Sequence, residues 1–251
     1  MSLGQFETGW GWEAQIRGYA RKKYRQDLEG LRGKEPLRLA RLLGGEILEG
    51  RPYASIQWVM LLKPFRPLEL FLLFDYDGDH GADLRVFYAR KSLSVPTEDA
   101  YVFAWDFLAL LARYGRGSFP LEEAGPGREF LPFRDFAAAQ AGPLEDVALA
   151  GPKQELLLRA GPEVVEVAVR RLDAGAYQAI ADGWEVVWPL LGDLLYRLRV
   201  AAGEVQVAFD DQGARKYAPE LLMSFAWLYL NALLRECRQV DPELPRLSRY
   251  L

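Results

Sequence analysis

Leu68–Tyr88 reads LELFLLFDYDGDHGADLRVFY. In 68–75 apolar residues fall on both faces, as a central strand covered on two sides requires. In 83–88, Leu84, Val86 and Tyr88 alternate with Asp83, Arg85 and Phe87, the two-residue period of a strand with one buried face. The Asp- and Gly-rich tract 75–81 between them supplies turn residues, so the stretch predicts an antiparallel hairpin. Just upstream, Ile56, Trp58, Met60 and Leu62 alternate with Ser55, Gln57, Val59 and Leu61, a third strand. Before it, Pro36 opens a short helix through Leu43 that buries Leu39, Leu42 and Leu43, and Gly44-Gly45 ends it. After the hairpin a long helix is expected from Thr97, with Thr97 or Ser94 as its cap and Glu98 and Asp99 in the first turn, through Phe103-Ala104-Trp105 to about Arg113.

The same order recurs downstream. Pro162 opens a helix whose apolar side is Val165, Ala168, Val169 and Leu172, and Asp173-Ala174-Gly175 breaks it. Trp184, Val186 and Trp188 alternate and end at Pro189. Tyr196, Leu198 and Val200 form one strand, and Val205, Val207 and Phe209 another, around the turn Ala201-Ala202-Gly203. A long helix starts near Pro219 and carries Phe225-Ala226-Trp227. These readings predict an α+β fold made of two degenerate helix–antiparallel sheet–helix halves packed together. The expected divisions are a helical segment 1–33, a first half 34–114, a Gly/Pro-rich aromatic connector 115–161, a second half 162–238 and a tail 239–251. In the first of these, Ile16, Ala20, Tyr24, Leu28 and Leu31 share a face of one helix from about Glu13 to Leu31. In the connector, Phe130 to Phe136 is too aromatic for an idle linker and is expected to pack on a half.

Composition narrows the function classes. Half of the 251 residues are hydrophobic and the formal charge is -4, which gives ample core and no global attraction to nucleic acid or an anionic membrane. The single cysteine, Cys237, rules out an internal disulfide or a cysteine-built metal site within one chain. The opening MSLGQFETGWGW lacks a basic patch followed by an apolar run, and no helix is greasy enough to span a bilayer; a cytoplasmic protein from a bacterial, GC-rich genome is expected. There is no Gly-x-x-x-x-Gly-Lys loop, no dinucleotide-binding glycine signature and no Gly-x-Ser-x-Gly.

Several residue sets carry chemistry, each beside a plainer reading. Asp75, Asp77 and Asp79, with His80 and Asp83, present alternating carboxylates suited to a hard cation, yet the same residues are ordinary turn formers. His80 is the only histidine and sits in a polar loop with no evident group to orient it. Arg17, Arg21, Lys22 and Arg25, interleaved with Tyr19 and Tyr24, suit phosphate contact and base stacking, or simply a solvated helix face. Asp106 interrupts an apolar helix and needs a partner such as Arg113 or Arg134 if it is buried. Phe133, Arg134 and Asp135 fall where the halves should meet and are expected to bind a partner or ligand, or else Arg134 and Asp135 form a surface ion pair with the flanking Phe side chains in the core. Cys237 reads as a structural thiol.

Two resemblances rest on particular residues. Arg128-Glu129-Phe130-Leu131-Pro132-Phe133-Arg134-Asp135, together with Ala208-Phe209-Asp210-Asp211 leading to Tyr217, Pro219 and Glu220, resembles the bacterial domain-of-unknown-function family three-seven-eight-six over about 24–235. Where that family has His-Tyr-Leu, this chain has Trp105-Asp106-Phe107-Leu108. The element order, with Val95-Pro96 leading into the long helix, is similar to the modules of type III secretion chaperones, which implies protein partners and dimerisation. The leading expectation is a binding or adaptor protein that holds a protein partner, with a homodimer possible and no cofactor. Its contact area would come from Trp10, Trp12, Trp58, Trp184, Trp188 and Trp227. The alternatives are a metal- or carboxylate-dependent hydrolase on the acidic 75–83 loop and a single-stranded nucleic-acid binder using the first helix.

Overall fold

A computed structural model describes residues 1–50, 52–79, 81–118, 128–136 and 152–246. The fold is α+β, with two antiparallel sheets, and the chain divides into two compact units, Met1–Glu122 and Glu123–Leu251. The segment 1–33 thus belongs to the first unit, and 128–136 of the expected connector to the second.

In the first unit α1 (Trp10–Gly18), a π-helical turn (Tyr19–Lys23) and α2 (Arg25–Glu29) precede α3 (Pro36–Leu43). Four strands follow as a meander: β1 (Gly45–Ile47), β2 (Ile56–Phe65), β3 (Leu68–Asp77) and β4 (Gly81–Tyr88). The long helix α4 (Thr97–Arg116) closes the unit. Gly44 ends α3 in the left-handed region at φ 70°, the conformation glycine adopts without a Cβ penalty. The hairpin expected from 68–88 forms in register, from Leu70 opposite Tyr88 to Asp77 opposite Gly81.

Three local expectations are corrected in this unit. The first helix is not one rod: the Tyr24 N–H bonds to the Tyr19 carbonyl at 2.9 Å, a π-type step, and Tyr24 leaves helical geometry at φ -107° before α2 restarts. Ile16, Ala20, Leu28 and Leu31 are nonetheless all buried. The strand buried on both faces is β2, where Trp58 to Leu62 are all buried; β3 buries only Leu68, Leu70, Leu72 and Phe74. Neither Thr97 nor Ser94 caps α4. Pro96 holds that position, the Thr97 hydroxyl donates to the Glu7 carbonyl and the Ser94 hydroxyl to that of Lys91.

In the second unit β5 (Phe130–Pro132), α5 (Pro152–Arg159) and α6 (Pro162–Leu172) precede β6 (Ala176–Ile180), β7 (Gly183–Leu191), β8 (Leu194–Ala201) and β9 (Glu204–Asp210). A short α7 (Asp211–Ala214) leads to α8 (Pro219–Val240), and the sheet order is β5-β9-β8-β7-β6. The predicted apolar side of α6 is the buried one. β7 does not stop at Pro189; it runs on to Leu191 through an irregular register beside that exposed proline, which has no N–H to give the ladder. Trp184 and Trp188 are core residues, donating from their indole N–H groups to the carbonyls of Ala160 and Ala174. Trp58 is buried too, so these three leave the expected contact surface, while Trp10 is 79% exposed.

Candidate functional site

The free edge of β4 carries the most open chemistry in the first unit. Ala89 N–H donates to the Glu69 carbonyl across the sheet, so by strand periodicity Phe87, Arg85 and Asp83 bond to β3. Tyr88, Val86, Leu84 and Ala82 therefore turn their N–H and C=O groups outward. At Tyr88 both are met: the Met1 ammonium donates to its carbonyl at 2.9 Å and its N–H donates to the Met1 carbonyl at 2.7 Å. The chain then turns away through a 3-10 turn at Leu3–Gln5. No backbone group among the described residues bonds the outward groups of Val86, Leu84 and Ala82.

Two clefts run along this edge. One, of about 320 Å³, is lined by Ser2, Glu13, Ile16 and Arg17 on one side and Leu84 to Phe87 on the other. The second, of about 430 Å³, continues past Ala82 to the base of the β3–β4 hairpin. Arg21 and Arg85 border both. The first has an apolar floor of Ile16, Leu84, Val86 and Phe87 under a charged rim, whereas the second is lined mainly by charged side chains.

The rim brings together two residue sets that the sequence presents separately. Arg21 and Arg25, from the basic helix, stand beside Asp75 and Asp77, from the acidic loop. They neutralise one another: Arg21 binds Asp83 at 2.8 Å, which raises the guanidinium pKa further, and Arg85 binds Asp75. Arg17 pairs with Glu13 and Arg25 with Glu29, while Lys22 is exposed. Glu13 also accepts the Gly4 N–H at 2.7 Å; its burial raises its pKa, but Ser2, Gly4 and Arg17 outweigh that and hold it below the usual carboxylate range. Asp77 and Asp79 are exposed, with the Asp79 N–H on the Asp77 carboxylate at 3.0 Å in a local turn. Among the described residues no three of His, Cys, Asp and Glu come close enough to hold a metal ion. His80 lies outside the described residues.

The second unit gathers a buried polar corner that the sequence only half reveals. Asp210, wholly buried, accepts the Gly213 N–H at 2.8 Å and the Leu195 N–H, with Arg128 at 3.6 Å. Asp193 accepts the Tyr217 hydroxyl at 2.6 Å and the Lys216 ammonium at 2.7 Å. Burial, then the Asp193 charge, pushes the Tyr217 phenol above its ordinary range. Asp211 and Glu129 exchange two further bonds. Arg128, Asp210, Asp211 and Tyr217, quoted above for one resemblance, thus meet at one place. Asp193 and Lys216 were missed; the only signal for Asp193 is its place in the tight Gly192-Asp193 turn between two strands. With both carboxylates saturated, the arrangement is a clamp on the β7–β8 and β9–α7 corners.

The remaining candidates lie apart. Phe133 is wholly buried with its ring 5.7 Å from that of Phe209, packed against its own sheet. Asp135 is exposed, and the Arg134 side chain lies outside what is described. Asp106 is 8% exposed within α4. Cys237 is wholly buried and burial pushes its thiol pKa up to about 12, an inert group. Among the described residues no helix is long and apolar enough to cross a membrane. Compared with protein-family models, with curated proteins and with solved structures, the chain finds no match.

Proposed function

We propose that this chain is a protein-binding module that takes an extended segment of a partner onto the free edge of β4. The observation that carries the reading is the pair of clefts along that edge, beside which the main-chain donor and acceptor of the half-exposed Val86 have no backbone partner among the described residues, while Leu84 next to it is buried. Strand addition uses such groups for affinity and alternate side chains for selectivity. The edge already bonds a residue distant in the sequence, Met1 at Tyr88, and β9 in the other unit accepts the short strand β5, with Leu131 opposite Phe209. A bound segment would set one row of side chains toward Ile16, Leu84 and Val86 and the other toward Arg17, Arg21 and Arg85. The hydrolase and nucleic-acid readings are weaker, because the acids and arginines they need are spent largely on each other.

We infer further that the two units are copies of one ancestral element. The order short helix, four strands, long helix in each supports this, as does Phe-Ala-Trp within both α4 and α8.

The test is selection of peptides on the full chain from a random library, followed by Val86→Pro. Proline at 86 removes an outward N–H and leaves the inward ladder to β3 intact. Selected peptides should bind Val86→Pro at least about tenfold more weakly, about one main-chain hydrogen bond, and Val86→Thr normally. Peptides that bind Val86→Pro unchanged would refute the site.

A further inference from the structure

The π-helical turn builds a second feature that strand addition does not use. Tyr19 and Tyr24 are five apart, which in a regular helix would set them well off a common line. The i→i+5 bond between them widens the turn and brings their rings to 6.4 Å. The ring of Trp105, from α4, stands nearly perpendicular to Tyr19 at 3.9 Å. Into the space between the three rings projects the Lys23 ammonium, 5.2 Å from the Tyr19 centroid, 5.1 Å from Tyr24 and 5.8 Å from Trp105. All three rings are half-exposed, and among the described residues Lys23 has no carboxylate partner. The aromatic row continues through Tyr101 to Trp12.

Three ring faces around one cation, open to solvent on one side, form an aromatic cage. A primary ammonium is a poor occupant, because it is strongly hydrated and gives up water to sit between rings. A quaternary or methylated ammonium keeps the charge, sheds far less hydration and presents methyl groups to the ring faces. We infer that Tyr19, Tyr24 and Trp105 form a binding site for a methylated ammonium group, and that Lys23 is a tethered occupant which the ligand displaces. The π turn fits this role, since a widened turn is retained in a helix where it places side chains that a regular turn could not.

The group could arrive as a small quaternary amine or as a methylated lysine on a protein, so the test titrates the full chain separately with choline chloride and with a trimethyllysine peptide. Sodium chloride at matched ionic strength and the unmethylated peptide serve as controls. The readout is NMR of the Trp105 indole and the Tyr19 and Tyr24 rings. Saturable shifts at these three rings are expected with at least one methylated probe and with neither control. Lys23→Ala, which empties the cage and needs no repacking, should bind that probe about tenfold more tightly. Trp105→Leu and Tyr24→Leu should each lose the response while the rest of the spectrum stays dispersed; since Tyr24 lies outside helical geometry, its variant keeps the test open if Trp105→Leu fails to fold. Tighter binding of choline points to a small amine, and of the peptide to a modified protein. No saturable shift with either probe in Lys23→Ala, or shifts unchanged in Tyr24→Leu, would overturn the site.

Discussion

Asp210 shows how one buried carboxylate can hold a corner of the fold. It has no exposed surface and satisfies two backbone N–H groups, those of Gly213 and Leu195, beside the Arg128 guanidinium. Asp210→Ala would strand all three partners, and a loss of about 3–5 kcal/mol in unfolding free energy is expected by chemical denaturation. Asp210→Asn keeps one acceptor oxygen and should lose less. Cys237 makes the opposite case, a reactive group silenced by burial. Near pH 8.5, about the ordinary thiol pKa, iodoacetamide should leave the folded protein unmodified and label Cys237 fully in concentrated guanidinium. Labelling of the native chain would contradict its position. At this scale the sequence was partly legible. The buried side of α6 followed from spacing alone and that of α3 in part, with Leu39 and Leu43 buried but Ala40 in place of Leu42, whereas Asp193, Lys216 and Tyr217 meet through contacts between distant turns that no local pattern encodes. For Phe133 the sequence left both a partner contact and a core position open, because an aromatic run looks the same in either setting.

Among the elements, α2 and α4 meet at a contact that only glycine permits. A Cβ on Gly115 would lie 1.9 Å from the Asp27 carbonyl oxygen, and one on Gly30 would lie 2.2 Å from the carbonyl oxygen of Gly115. Backbone meets backbone here, so no side chain can yield. Gly115→Ala should cost about 1–3 kcal/mol by overpacking, read as a lower thermal midpoint, while Gly33→Ala, with open space around it, tests the strain of its positive φ alone. The strands β2, β4 and β7 to β9 were legible from a two-residue alternation, and β3 from an apolar run on both faces beside turn residues. The three-residue β1 and the exposed β6 were not, being too short or too evenly exposed to show a face. The π turn was invisible for a different reason: its residues keep helical spacing in the sequence, and only the Tyr19–Tyr24 hydrogen bond reveals the extra residue.

The whole molecule carries buried phenols in both units: Tyr88 and Tyr114 in the first, and Tyr196, Tyr217 and Tyr229 in the second. Burial raises each of their pKa values. For an acid whose folded pKa is raised, the unfolded chain loses its proton first. Stability is then complete below the unfolded value, about 10 for tyrosine, and falls as pH rises past it. Urea midpoints should hold level from neutral pH to about pH 9 and drop steeply above about pH 10, with these tyrosines ionising only as the chain unfolds. Glu13 acts in the other direction, adding stability that is lost as pH falls below the ordinary carboxylate range. The α+β class was readable from the order of periodic stretches. The site was less so: its acidic and basic residues were both visible, but that they face each other across the edge of β4 is a product of tertiary folding.

Strand addition requires that edge to be open in the free protein. Residue-resolved amide hydrogen exchange of the full chain tests it directly. Asp83, Arg85, Phe87 and Tyr88 should exchange slowly, because each N–H has a partner, while Val86, half-exposed and without a backbone partner among the described residues, should exchange far faster. Uniformly slow exchange from Asp83 to Tyr88 in the protein alone would mean that the edge is already filled, and that no partner segment can be received there.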